Sequence, residues 1–402
     1  MKTIAIIGGG PAGAMAAERL ARAGRHVTVL EDKPGWEKPC GGGLSTRALR
    51  CYPFLSAETQ GVRRVRGAEL VAPDGASVQL RLRQPMAVYS RSVLNRLLLC
   101  RAAQAGARIV PERIVNLARS GAGWRLKGRE GVYQADFIIL AAGARSRLRS
   151  LLTQDLQARD FMLTFGYYVT GPEDLLRVQF FEDFEGYAWA FPRPDHLSVG
   201  ICGKVGQIRV DDLRARLHAF MRKFGYPTER GCVFAHVLPA LTSESWSDLR
   251  LVGEGWALAG DSAGLVDPLT GEGIYYAMRS GELLAACLLE DSPATYPRRV
   301  WHEFASDLAH GARLGSLFYR GNVLGSSLST RVIQFSRYSE AVRDLLRDLI
   351  EGEQPYATLL TRLYTRFSAS LPAIAAGLLR GMTPRFPAGE SWPAWGREEG
   401  GP

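Results

Sequence analysis

The sequence predicts an α/β protein built on a Rossmann-like nucleotide-binding domain, and three observations carry that prediction. An apolar strand, Ile4–Ile7, runs into Gly8, Gly10 and Gly13, spaced as G-x-G-x-x-G, and an Ala-rich helix follows from Ala14 to Ala23. A second strand, His26–Leu30, ends on the acidic Glu31. Two more apolar strands, Phe137–Leu140 and Trp256–Ala259, end in Ala141-Ala142-Gly143 and Gly260-Asp261, so separated segments feed one nucleotide fold.

Each element has a physical role. Gly8 permits the tight turn, Gly10 lets a pyrophosphate approach the backbone, and Gly13 allows close packing of helix on strand. The helix start offers unpaired N–H groups and a positive dipole end to phosphates. Glu31 accepts both hydroxyls of an adenosine ribose and repels a 2′-phosphate, which selects FAD or NAD over NADP. Asp261, at a strand end, suits a ribityl hydroxyl. The start of the helix at Gly271-Glu272-Gly273-Ile274 presents N–H groups to the pyrimidine end of an isoalloxazine. Only one G-x-G-x-x-G is present, so the expected cofactor is FAD, and an external donor, NAD(P)H or ferredoxin, supplies its electrons.

The rest of the chain reads as further layers. Pro73-Asp74-Gly75 between alternating runs marks a hairpin over 66–82. Strands are expected at Met162–Thr170, Leu176–Phe181, Tyr187–Phe191 and Leu197–Ile201, with an amphipathic helix at Asp211–Phe224. The division is a discontinuous FAD-binding domain (1–50, 85–155 and 250–296), a mixed or antiparallel β-sheet substrate domain (51–84 and 156–249), a C-terminal helical region (297–382) and a loosely held tail (383–402). Tyr319, Leu324, Phe335 and Leu349 are expected to close a hydrophobic tunnel.

Composition bounds the function. The 402 residues, 46% hydrophobic and 22% charged, suit two or three packed units and exclude wholesale disorder. Of the 50 basic side chains only six are lysine; the net charge is +10, yet no basic block is long enough for a nucleic-acid arm, so no nucleic-acid partner is expected. Six cysteines form no C-x-x-C pair and no metal-ligand pattern. No apolar run approaches the roughly 20 residues of a bilayer span, so the expected location is cytoplasmic, with peripheral contact at the inner face of the membrane open.

Three further motifs carry a resemblance. Lys38-Pro39-Cys40-Gly41-Gly42-Gly43-Leu44-Ser45 resembles the flavin-loop signature of the geranylgeranyl reductases. The run Asp267–Met278 is similar to a second signature of that family, and Tyr187-Ala188-Trp189-Ala190-Phe191-Pro192 resembles its Y-x-W-x-F-P motif. The resemblance spans residues 8 to 278 and implies flavin contacts at Ala12, Glu31, Cys40, Gly41, Gly43, Arg91, Val115, Asp261, Gly273 and Ile274. Arg91 opens a helix, Ser92–Ala105, and reaches a pyrophosphate; Val115, in a short apolar strand, offers backbone to adenine or simply packs.

The family reduces isolated carbon–carbon double bonds of isoprenoid chains with hydride from reduced FAD. An unactivated alkene also needs a proton and an apolar, water-excluding wall. Tyr187, Trp189 and Phe191 alternate along one strand, share one side, and are the expected substrate wall. Cys40, Tyr187 and Trp189 are the candidate catalytic residues, and the expected partner is a hydrophobic or lipid substrate. Lys38 and Arg47 flank the flavin loop, either solvated or facing a negative group. The alternative is a flavin-dependent monooxygenase, hydroxylase or halogenase-like, acting on a hydrophobic or aromatic small molecule. The G-E-S-x-L-P of halogenases is absent where Cys40–Ser45 stands. A third reading is a flavin-bearing lipid-binding module without turnover.

Overall fold

A computed structural model describes residues 2–365, apart from 229, 230, 324, 354 and 363. Its first layer is a six-stranded sheet in the order Val252–Gly253, Trp256–Leu258, Phe137–Leu140, Thr3–Ile7, His26–Leu30, Arg108–Val110. All neighbours run parallel except the antiparallel first pair. A parallel sheet is covered on both faces, which explains why Phe137–Leu140 is apolar and buried at every position. The helix Pro11–Arg22 starts with proline at its first position, where no N–H is needed. It packs on the helix Ile274–Leu289 and on the helix Arg91–Gln104.

The second layer is an eight-stranded sheet in the order Cys232–Pro239, Phe161–Val169, Leu197–Lys204, Gly186–Pro192, Leu176–Phe180, Val62–Val71, Ser77–Tyr89, Gly43–Leu44. All its pairs are antiparallel except the parallel join of Leu176–Phe180 to Val62–Val71. The helix Val210–Lys223 covers its outer face with Leu213, Leu217, Phe220 and Met221. The other face looks toward the first layer. The hairpin is longer than its alternating core suggests, because pairing continues past a bulge between Val65 and Gly67 into the arginine-bearing start of the strand.

A third, three-stranded sheet (Ile114–Ser120, Gly123–Gly128, Val132–Ala135) is visible in the sequence only as its first strand. Its short strands, rich in Arg and Lys and linked by glycine turns, carry too little apolar alternation to be read. The C-terminal helices Ser306–Arg320, Leu328–Ser336 and Glu340–Glu351 lie against the eight-stranded sheet. Arg83 fastens the last of them, its guanidinium 2.5 Å from Asp348 and 2.9 Å from Glu351. Among the described residues no helix is long and apolar enough to cross a membrane. The tail 383–402 lies outside the described residues.

Candidate functional site

One cavity of about 1040 Å³ runs between the two large sheets, and two lengths of it differ in character. The first is a trough walled by strand-end loops of the six-stranded sheet. Gly8, Gly9 and Gly10 form its floor, with Ala12 at the helix start. Gly13 has no room for a side chain: a methyl there would lie 2.0 Å from the Gly8 carbonyl oxygen. A methyl on Gly10, by contrast, would meet no atom within 4 Å, so the chain leaves open the space a pyrophosphate needs. Glu31 stands at the rim with its carboxylate oriented by the N–H groups of Gly9 (2.7 Å) and Lys33 (2.9 Å).

Further along the trough, Arg91 is 3% exposed; among the described residues its Nε has no partner and its side chain makes only a 3.4 Å contact to Asn95. A buried guanidinium so poorly satisfied calls for an anion. Val115 is 48% exposed, lines the cavity, and stands where the register slips between Ile114 and Asn116, which takes it out of the strand ladder. Asp261 is partly buried and 2.7 Å from Lys38 Nζ; desolvation opposes its ionisation, but Lys38 overrides that and holds it below the usual range. Gly273 opens the helix Ile274–Leu289 with no side chain capping it, and Ile274 lines the cavity beside it. An open pyrophosphate cradle, an oriented carboxylate, an anion-seeking arginine and an uncapped helix start together fit FAD.

The second length is an apolar arm. Directly opposed residues of neighbouring strands share a face of the sheet. The register makes a single rung of His236, Thr164, Cys202, Tyr187 and Phe180, which runs from the trough at His236 into the arm at Phe180, and all five line the cavity. An adjacent rung holds Phe234, Trp189, Val178 and Leu70, with Gly166 and Gly200 between the two aromatics. At the far end Leu314, Phe318, Leu345 and Leu349 of the C-terminal helices close over the sheet, Phe318 packing edge-to-face on Phe180 at 5.0 Å.

Tyr187, Trp189 and Phe191 all line the cavity where trough and arm meet. Phe191 lies against the Cys40–Gly43 loop: a methyl on Gly41 would come within 2.7 Å of its ring. The Tyr187 hydroxyl donates to the Thr270 carbonyl at 2.6 Å, so it braces the loop that leads into Gly271–Gly273. Burial pushes its ionisation well above the usual phenol range. The Trp189 indole N–H donates to Ser198 Oγ at 3.3 Å. Cys40 Sγ accepts the Gly42 N–H at 3.3 Å, and its carbonyl accepts from Arg193 (2.6 Å) and Ser198 Oγ (3.0 Å).

Arg193 and its partner Glu37 went unread in the sequence. Arg193 is fully buried and pairs with Glu37 at 2.5 Å, while the same carboxylate accepts from Ser90 Oγ and the N–H groups of Arg91 and Ser92. It therefore caps the helix that carries Arg91. Burial would raise the Glu37 pKa, but Arg193 and these three donors hold it down at about 2. The only signal is that Arg193 directly follows Pro192 of the Y-x-W-x-F-P motif; nothing marks Glu37 as its partner. Lys38 and Arg47 are both paired rather than solvated, Arg47 donating to Glu272 at 3.2 Å and to Tyr276 at 2.7 Å. Of the residues expected to close the tunnel, Leu349 lines it, and Tyr319 is buried behind it with its hydroxyl donating to the Leu269 carbonyl at 3.0 Å. Phe335 does not line the cavity, because Val332 takes the inward face of its helix, and Leu324 lies outside the described residues.

This fold and site define an FAD-dependent oxidoreductase. Residues 1–178 match the FAD binding domain family. Among curated proteins the chain is 30% identical over 316 residues to a geranylgeranyl diphosphate reductase of Synechocystis, covering 72% of this chain and 75% of that one. It is also 30% identical over 321 residues to a digeranylgeranylglycerophospholipid reductase of Methanosphaerula palustris, covering 72% and 77%. The chain belongs to the geranylgeranyl reductase family. Among solved structures, a geranylgeranyl bacteriochlorophyll reductase-like protein of Thermoplasma acidophilum superposes with TM-score 0.74 at 19% identity, covering 93% of this chain and 98% of that one. A flavin-dependent brominase superposes with TM-score 0.66 at 16% identity, covering 92% and 99%, a likeness of fold alone.

Proposed function

We propose that the chain reduces carbon–carbon double bonds of an isoprenoid chain lying in the apolar arm. The observation that carries this reading is the arm itself, which leaves the trough at Tyr187 and Trp189 and continues between Leu70, Val178, Phe180 and Phe318. The names of the two relatives, one a reductase of geranylgeranyl diphosphate and one of a digeranylgeranyl lipid, support the same substrate class.

Bound FAD, once reduced by an external donor (NAD(P)H or ferredoxin), supplies hydride. An isolated alkene has no carbonyl to withdraw electrons, so hydride on one carbon must be matched by a proton on the other. Cys40 Sγ is the proton donor in this reading: its S–H bond breaks, a C–H bond forms, and solvent later restores the thiol. The Gly42 N–H, 3.3 Å from the sulfur, stabilises the thiolate left behind. Tyr187 and Trp189 present ring faces to positive charge on the more substituted carbon. Phe191 packs on the Cys40–Gly43 loop and Tyr187 braces the loop at Thr270, and the apolar walls exclude water. A lipid-borne substrate enters from a membrane surface at the cytoplasmic side, where Leu317 and Leu360 both line the cavity and stand exposed.

The test is anaerobic. Prereduced protein mixed with geranylgeranyl compounds is expected to reoxidise its flavin and add about 2 Da per double bond reduced. Reoxidation that needs oxygen, with no gain of hydrogen in the substrate, would sink the reductase reading and favour a monooxygenase.

A further inference from the structure

His236 takes no part in the chemistry above, yet it faces the cavity with both ring nitrogens buried and, among the described residues, without a hydrogen-bond partner. Its backbone is well held: the strand Cys232–Pro239 pairs with Phe161–Val169, and Thr164 Oγ1 donates to the His236 carbonyl at 2.9 Å. The backbone is therefore fixed, while the ring it carries is left unsatisfied among the described residues. Burial first, then Lys38, with Arg145 and Arg91 adding to it and Asp261 opposing, push the imidazole down to about 3. At neutral pH it is uncharged, with one nitrogen a donor and the other an acceptor.

The rung locates what those nitrogens face. His236 and Phe180 are its two ends, four strand spacings or roughly 19 Å apart. Phe180 stands in the apolar arm, whereas the charged groups acting on His236 are Lys38, Asp261, Arg145 and Arg91, all of which line the trough. The partner sought is a neutral group that both donates and accepts, within the dinucleotide's length of the cavity. Between its phosphates and its ring, FAD carries one such stretch, the ribityl hydroxyls. We infer that His236 positions FAD from the sheet side of the trough by hydrogen-bonding its ribityl chain, opposite Asp261. This assignment does not depend on what the substrate is.

The test is cofactor affinity of the apoprotein. For His236→Leu, FAD titrated by flavin fluorescence is expected to bind about tenfold more weakly or worse. His236→Gln, which still donates and accepts, is expected to stay within about threefold of the parent protein. ADP, which lacks the ribityl chain, is expected to bind all three proteins alike, and this also reports an intact trough. The inference is overturned if His236→Leu keeps the parent's FAD affinity, if it loses ADP in step with FAD, or if His236→Gln is as weak as His236→Leu.

Discussion

The trough and the arm share one cavity but are built by opposite means. The trough is largely backbone: the glycine-bearing runs Gly8–Gly10, at a strand end of the parallel sheet, Gly41–Gly43, at the edge of the eight-stranded sheet, and Gly271–Gly273, before a helix. The arm is side chain: residues of two sheet rungs facing residues of helices that lie far away in sequence. A methyl added at Gly8 or Gly41 would collide with its neighbours, whereas side-chain walls exchange one shape for another. The trough is thus the fixed length of the cavity and the arm the adaptable one, which is where substrate fit is set in the proposed reading.

Arg193 stands at the junction, and removing it is the most damaging way to break the division. Arg193→Leu leaves Glu37 ionised and unpaired in a mostly buried place, an expected loss of about 3–5 kcal/mol in denaturant unfolding. Adding Glu37→Gln to that variant is expected to recover part of it. The same pair makes stability depend on pH. The Glu37 pKa is lowered from 4.5 to about 2, so its contribution is complete above 4.5 and fades as pH falls toward 2. Unfolding midpoints measured across that window should fall in the parent more steeply than in Glu37→Gln; equal slopes would remove Glu37 from the account.

Smaller changes sharpen the contrast between the two lengths. Gly41→Ala sets a methyl 2.7 Å from Phe191 and is expected to weaken FAD binding by about 1–3 kcal/mol in a fluorescence titration. Phe318→Ala removes the edge-to-face partner of Phe180. Its expected cost, about 0.5–1.5 kcal/mol, should appear in the binding of an isoprenoid ligand and leave FAD affinity unchanged. A fall in FAD affinity there would mean that trough and arm are not separable.

Much of the trough was legible because its signal is local. Gly8, Gly10, Gly13 and Glu31 lie within one strand–helix–strand unit, and the spacing of such a unit is fixed by backbone geometry. Asp261 and Gly273 were legible for the same reason, standing just past an apolar strand and at a helix start. The arm was legible only as a strand whose aromatics alternate. Its helices carry no motif, and a nine-residue helix offers several apolar stripes, so Val332 rather than the expected Phe335 lines the cavity.

What escaped was pairing across distance. Glu37 meets Arg193 across 156 positions, and Tyr356 donates to the buried carboxylate of Asp267 across 89, tying the C-terminal segment to the loop that leads into Gly271–Gly273. Burial raises the Asp267 pKa although Thr270, Leu269 and Tyr356 all donate to it, a balance that no run of residues displays.

Sequence by itself determined the nucleotide fold, the cofactor class and the family, because those rest on glycines and acids at fixed separations along single elements. The tertiary structure alone decided which charges are neutralised, that the Tyr187 hydroxyl is committed to a carbonyl, and that His236 shares a rung with Phe180. Strand order and register create those neighbours, and neither is encoded within any one strand.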